Sequence, residues 1–194
     1  LMRFPKKKKE ILFVGRLVNE KGAYLYAEAI KAIAHKHPLW SFGLIGSFRL
    51  GNNQNTNSYA SKVIKTFESI GSQAHFYGFQ DNRFVQEKMK TASIIVIPSL
   101  WQEPFGLVAA EAMSNGACVI ASKVGGIPEI IESHGILINN INLKKLSAKI
   151  DHLIKNENLR KSFQRKAWEN FRFSSDISSK SLDNFRKTIF SKLV

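Results

Sequence analysis

Six short apolar runs, each followed by a turn or a stretch of helical spacing, constrain this 194-residue chain more than any other feature. Ile11-Leu12-Phe13-Val14 ends at Gly15, Trp40 to Ile45 at Gly46, and His75-Phe76-Tyr77 at Gly78. Ser93 to Ile97 stops at Pro98, and Ala117 to Ala121 and Gly135 to Ile138 complete the set. Apolar runs of this length between turn residues read as buried strands. The stretches between them read as helices. Gly22 to Lys36 sets Tyr26, Ala29, Ile30, Ile33 and Ala34 on one face, and Pro38 stops it. Further helices are predicted from about Tyr59 to Ile70, from Asn82 (as cap) to Thr91, from about Phe105 to Ser114, and from Gly125-Gly126-Ile127-Pro128 to Glu132. Leu143, Leu146, Ile150, Leu153 and Ile154 form one later face, Leu159, Phe163, Ala167 and Phe171 another, and a final helix is predicted from about Ser175. The Asn-rich tract Gly51 to Ser58 is a loop by composition. Alternation of this kind predicts an α/β fold, a doubly wound parallel sheet covered on both faces. Ligands of such sheets bind at the carboxyl ends of the strands, where the strand order reverses. That directs attention to the segments after Val14, Ile45, Tyr77 and Ile97.

Composition narrows the function classes. The single cysteine, Cys118, excludes an internal disulfide and a cysteine-based zinc site. No apolar run approaches the roughly 18–20 residues of a membrane span. The N-terminus is basic, Lys6 to Lys9, with no apolar segment after it to serve as a signal. Leu1 precedes Met2, so we expect a piece of a longer protein. The formal net charge is +14, from 29 Lys and Arg against 15 Asp and Glu. An anionic membrane surface is one partner that fits such a charge. Lys outnumbers Arg 21 to 8, and Asn and Ile are abundant, so A/T-rich codon usage with solvated faces is the other source of that balance. Basic and aromatic residues do not interleave in a nucleic-acid-reading motif, and no nucleic-acid partner is expected.

Two segments carry recognisable chemistry. Gly15-Arg16-Leu17-Val18-Asn19-Glu20-Lys21-Gly22 lies between the first strand and the first helix. Gly15 permits close approach, and Arg16 and Lys21 set two cations beside a helix start, whose N–H groups and dipole favour a diphosphate. Neither a Gly-x-Gly-x-x-Gly fingerprint nor a Walker loop is present. A basic turn with ordinary surface cations has the same local appearance. The second segment runs from Pro98 to Glu111 and enters a helix. Glu103 and Glu111 are eight residues apart, up to about 12 Å along the axis if the stretch is mostly helical. Gly106, Leu107 and Val108 between them offer N–H groups at the helix start. Such a stretch suits a sugar at one carboxylate, phosphate at the N–H groups and a ribose at the other. A dipole-stabilised Glu103 and a solvated Glu111 would fit the same spacing.

The strings Ile11 to Gly22 and Pro98 to Glu132 resemble the nucleotide-sugar-binding domain of family-4 retaining glycosyltransferases of the GT-B fold. Arg16 and Lys21 match that family's diphosphate pair, and Glu103-x7-Glu111, enclosing Pro104-Phe105-Gly106, matches its paired-glutamate signature. Val124-Gly125-Gly126-Ile127-Pro128-Glu129 looks like the loop that follows, and Trp168 to Phe190 like the last helix. The resemblance implies a six-stranded Rossmann-like sheet with C-terminal helices, one half of a GT-B fold. It implies catalytic roles for Arg16 and Lys21 on the departing diphosphate and for Glu103 on the donor sugar. Gly15, Phe105, Gly106, Leu107 and Val108 would bind the donor through the main chain, Glu111 would hold the ribose, and Gly78 and Phe79 would meet the base. The expected partner is a nucleotide sugar. No cofactor is expected.

No metal site is expected either. Asp81, Asp151, Asp176 and Asp183 contain no Asp-x-Asp pair, and His35, His37, His75, His134 and His152 show no ligand spacing on a helix. Arg16, Lys21 and the helix start at Phe105 would stand in for a cation. One departure from the family pattern is Ser47-Phe48-Arg49-Leu50-Gly51, where a second glycine often follows Gly46 closely. Residues 1–10 read as a linker remnant and 11–194 as the C-terminal donor-binding domain, with the N-terminal acceptor domain absent. The parent would be a hexosyltransferase-type enzyme of polysaccharide biosynthesis, acting on a cell-surface glycan or lipid, and this fragment would be inactive alone. The expected location is cytoplasmic, with peripheral attachment to the inner membrane face left open. A stand-alone nucleotide-binding module, a sugar-nucleotide epimerase and a charge-driven anion binder are the competing readings.

Overall fold

The computed structural model describes residues 3–47 and 58–171. The alternating pattern resolves into six strands, β1 (Lys8–Val14), β2 (Ser41–Ile45), β3 (Ala74–Gly78), β4 (Ala92–Ile97), β5 (Cys118–Ser122) and β6 (Ile136–Ile138). Between and after them lie α1 (Ala23–Ile33), α2 (Ser58–Glu68), α3 (Asn82–Thr91), α4 (Leu107–Ser114), α5 (Ile127–Ile131), α6 (Leu143–Lys155) and α7 (Glu157–Glu169). All pairings are parallel, and the order is β3-β2-β1-β4-β5-β6. The chain winds outward from β1 to β3, then crosses back to lay β4 on the other side of β1. The switch point therefore lies between the ends of β1 and β4.

Period-two alternation within each strand divides the core. Ile11 and Phe13 of β1 join one buried cluster with Tyr26 and Ile30 of α1, Phe67 of α2 and Leu146 and Leu153 of α6. Leu12 points the other way, into a cluster with Met89 of α3, Ala109 and Met113 of α4, Ile130 of α5 and Ala167 of α7. β4 is buried at every position, as a central strand covered on both faces must be.

Several boundaries differ from the sequence expectation. β1 starts at Lys8 and pairs there with Ala92, so the end of the 1–10 stretch is part of the sheet. Backbone pairing, not apolarity, extends the strand. Asp81 rather than Asn82 caps α3, its carboxylate accepting from the Phe84 N–H at 2.8 Å. Leu143 is 41% exposed, so the buried face of α6 starts a turn later, at Leu146. The buried face of α7 is Arg160, Gln164 and Ala167, whereas Leu159 is 37% exposed. Arg160 donates to the Leu153 and Ile154 carbonyls at the end of α6, and Gln164 to the Ser93 carbonyl, so these buried polar groups are satisfied. The final helix predicted from Ser175 and the loop predicted from Gly51 lie outside the described residues, except Ser58, which is the first residue of α2.

Candidate functional site

The exits of β1 and β4 meet at the switch point. After β1 the chain makes a short 3-10 turn at Asn19–Lys21 and enters α1 through Gly22, whose φ is 68°. A Cβ there would fall 1.9 Å from the Pro98 carbonyl oxygen, so glycine is what lets the turn press against the end of β4. The Leu100 N–H donates to the Glu20 carbonyl at 2.8 Å and ties the two loops together.

This latch sets Lys21 against Glu103. The Lys21 ammonium donates to Glu103 Oε1 at 2.5 Å, and the Ser99 hydroxyl donates to the same oxygen at 2.7 Å. Glu103 is only 9% exposed. Burial pushes its carboxyl up, but hydrogen bonds from Lys21 and Ser99, the Lys21 charge and a bond from Trp101 outweigh that and hold it below the usual carboxylate range. Glu103 is therefore ionised at neutral pH. The glycine loop after β5 supports it from behind: the Gly125 N–H donates to Gln102 Oε1 at 2.6 Å and the Gly126 N–H to the Glu103 carbonyl at 2.8 Å. A Cβ on Gly125 would lie 2.0 Å from that same carbonyl.

Gly15, Lys21, Glu103, Phe105, Gly106, Leu107 and Val108 line one cavity of about 340 Å³, together with Ser99. α4 starts at its wall. Gly106 has no side chain to cap it, and among the described residues the N–H groups of Leu107 and Val108 find no acceptor. Open N–H groups and the helix dipole favour an anion there. Arg16 is exposed and lines an adjoining cleft of about 220 Å³ with Phe79 and Gly46, and Val14 and Gly15 form the wall common to both.

Glu111 stands apart. The residues from Glu103 to Gly106 are not helical, so the axial spacing assumed over the whole stretch does not apply; only the part from Leu107 onward is helix, about 6 Å of rise. Glu111 follows Leu107 by one turn of α4 and lines neither cavity. It is half-buried, burial pushes its carboxyl up, and among the described residues no donor meets it. Ser99, Trp101 and Gln102 are contributors that sequence reasoning passed over. The signal for Ser99 is its place, directly after the proline that ends β4 and four residues before Glu103.

Among the described residues, no group of three or more His, Cys, Asp or Glu is placed to hold a metal ion, and no helix is long and apolar enough to cross a membrane. His37 instead packs on α6, its Nε2 lying 2.8 Å from Asp151.

A parallel doubly wound sheet with a lined cavity, cations and an open helix start at its switch point defines a Rossmann-like α/β domain. The family model for glycosyl transferases group 1 matches residues 2–169, and the chain belongs to that family. It is 33% identical over 175 residues to the spore coat protein SA of Bacillus subtilis, covering 84% of this chain and 45% of the relative. It thus spans about half the length of the curated relatives it matches. Its fold superimposes on the C-terminal domain of the group 1 glycosyl transferase LpcC from Francisella tularensis, with TM-score 0.70 and 26% identity, covering 86% of this chain and 85% of that one. It also matches a mutant of TarM from S. aureus, in complex with fondaparinux, α-GlcNAc-glycerol and UDP, at TM-score 0.72 and 26% identity, over 92% of this chain and 35% of that one. The C-terminal half of a GT-B glycosyltransferase is the fold that the sequence resemblance implies.

Proposed function

We propose that this chain is the donor-binding half of a retaining glycosyltransferase and holds the nucleoside diphosphate of a nucleotide sugar at the β1–β4 switch point. The observation that carries the reading is one cavity in which an ammonium, an ionised carboxylate and an open helix start converge. Each suits a different part of the ligand. Lys21 and the α4 N–H groups face the diphosphate, with Arg16 closing on it from the adjoining cleft. Glu103 accepts from donor-sugar hydroxyls. Glu111, one turn along α4 from Leu107, receives the ribose hydroxyls, and Phe79 meets the base. When the bond from the sugar to the diphosphate breaks, negative charge builds on the leaving phosphate, and the two cations and the helix start stabilise it without a metal ion. The acceptor, a cell-surface glycan or lipid, would dock on the other half of the parent protein. UDP in the TarM complex supports the ligand class.

Calorimetric titration of the chain with UDP, GDP and ADP, with and without chelator, tests this. Binding of at least one diphosphate, unaltered by chelator and far tighter than that of its free nucleoside, is expected. Equal affinity for diphosphate and nucleoside would refute the site, and robust sugar transfer by this chain alone would refute the half-enzyme reading.

A further inference from the structure

We propose that Ser99 is a positioning residue that holds Glu103 in its sugar-facing orientation when Lys21 turns to the diphosphate. The inference rests on the donor-binding reading above and adds a residue to it.

Two donors from different loops fall on the same Glu103 oxygen, Oε1: the Lys21 ammonium from the β1–α1 turn and the Ser99 hydroxyl from the end of β4. They are not equivalent. Ser99 is 1% exposed, its side chain has one rotatable bond before the hydroxyl, and it stands just past a fully buried central strand. Lys21 is a long side chain with 24% of its surface open. Its charge is also the one that a diphosphate in the cavity would compete for. In the ligand-free chain Lys21 and Ser99 divide the task of fixing Glu103. In the donor complex the ammonium is shared or withdrawn, and the Ser99 bond carries a larger part. The carboxylate has acceptor capacity for this, since a carboxylate offers about four lone-pair sites and Lys21, Ser99 and Trp101 use fewer. What remains is available to a sugar hydroxyl, and Ser99 itself lines the cavity that would receive it.

The test is calorimetry of the full chain with UDP and UDP-glucose, read as the ratio of the two affinities, for wild type, Ser99→Ala, Ser99→Thr and Glu103→Gln. Ser99→Ala is expected to lower the preference for UDP-glucose roughly three- to ten-fold, the net scale of one ordinary hydrogen bond, while UDP affinity holds. Ser99→Thr, which keeps the hydroxyl, should restore most of it. A second readout is the Glu103 carboxyl titration followed by carbon NMR. It should move upward in Ser99→Ala and stay near the wild-type value in Ser99→Thr, a change that simple loosening of the loop in both variants would not produce. If Glu103→Gln lowers the UDP-glucose preference and Ser99→Ala does not, the positioning role fails and the donor-binding reading stands. If Glu103→Gln also leaves the ratio unchanged, the sugar role of Glu103 fails and the proposal with it.

Discussion

Glu103 and Glu111 are the same side chain eight residues apart, and the fold treats them in opposite ways. Glu103 sits on a loop, nearly enclosed, with Lys21 and Ser99 on one oxygen and its carboxyl held below the ordinary range. Glu111 sits on α4, half-buried, without a donor to its carboxylate among the described residues and with its carboxyl pushed up. The loop carboxylate is organised before any ligand arrives. The helix carboxylate has been partly desolvated and not compensated, so a pair of ligand hydroxyls would supply what the protein withholds. A ready carboxylate and a waiting one, on either side of an open helix start, form an arrangement that a long ligand with hydroxyls at both ends would complete.

The contrast is most severely broken by removing the support behind Glu103. Gly125→Ala places a methyl against the Glu103 carbonyl at a φ of 53°, so it should cost about 2–4 kcal/mol in urea unfolding. The Glu103 carboxyl should then titrate closer to its ordinary value, while Glu111 keeps its raised one. Stability unchanged within error would show that the loop does not bear on Glu103.

Lys21→Ala removes the partner that distinguishes Glu103. We expect diphosphate binding to weaken by about 2–3 kcal/mol, with binding of the free nucleoside nearly unaltered, and Arg16→Ala to act in the same sense. Calorimetry that showed nucleoside and diphosphate weakening equally would remove both cations from the diphosphate. The two glutamates separate next. Glu111→Gln should weaken UDP and UDP-glucose alike by about 1.5–2 kcal/mol, and Glu103→Gln should weaken UDP-glucose alone. Because Glu103 holds Lys21 in the free chain, its neutralisation releases the ammonium, and UDP binding should stay level or tighten slightly. A charge-driven anion binder would instead bind both ligands more tightly in both variants.

Much of this was legible before the structure, for a physical reason. Short apolar runs report strands because a buried parallel sheet needs nearly continuous apolarity, and all six strands fall where the runs lie, four of the runs closed by Gly or Pro. Patterning fails where backbone or polar groups decide. Lys8 and Glu10 of β1 are polar yet pair with neighbouring strands, and Arg160 and Gln164 are buried because carbonyls at the end of α6 and on Ser93 receive them. The site divides in the same way. Arg16, Lys21, Glu103 and the α4 start are readable as charges and glycines at strand exits. That Glu111 stands outside the cavity is not, because residue spacing does not reveal that the segment from Glu103 to Gly106 is a loop rather than helix. Ser99 escapes apolar patterning, and its place after Pro98 becomes informative only once Glu103 is known to be its partner.

The smallest expected effect is the one that tests the comparison without any ligand. A carboxyl held low in the folded chain, as Glu103 is, contributes stability that is present above its unfolded value near 4.5 and is lost as pH falls through its lower folded value. A carboxyl pushed up, as Glu111 is, does the opposite: its charged form is penalised above the raised folded value, and the penalty disappears as pH falls through that value towards 4.5. Glu111→Gln should therefore stabilise the free chain at pH 7 by a few tenths of a kcal/mol, reduced by solvent screening of a half-buried group. The gain should shrink towards zero near pH 4.5. Glu103→Gln should destabilise at pH 7, and its deficit should shrink only at lower pH, below 4.5. Urea unfolding of both variants at pH 7, 5.5 and 4.5 reads the two signs directly. Destabilisation by Glu111→Gln at pH 7 would mean that Glu111 already has a partner, and the waiting carboxylate would have to be given up.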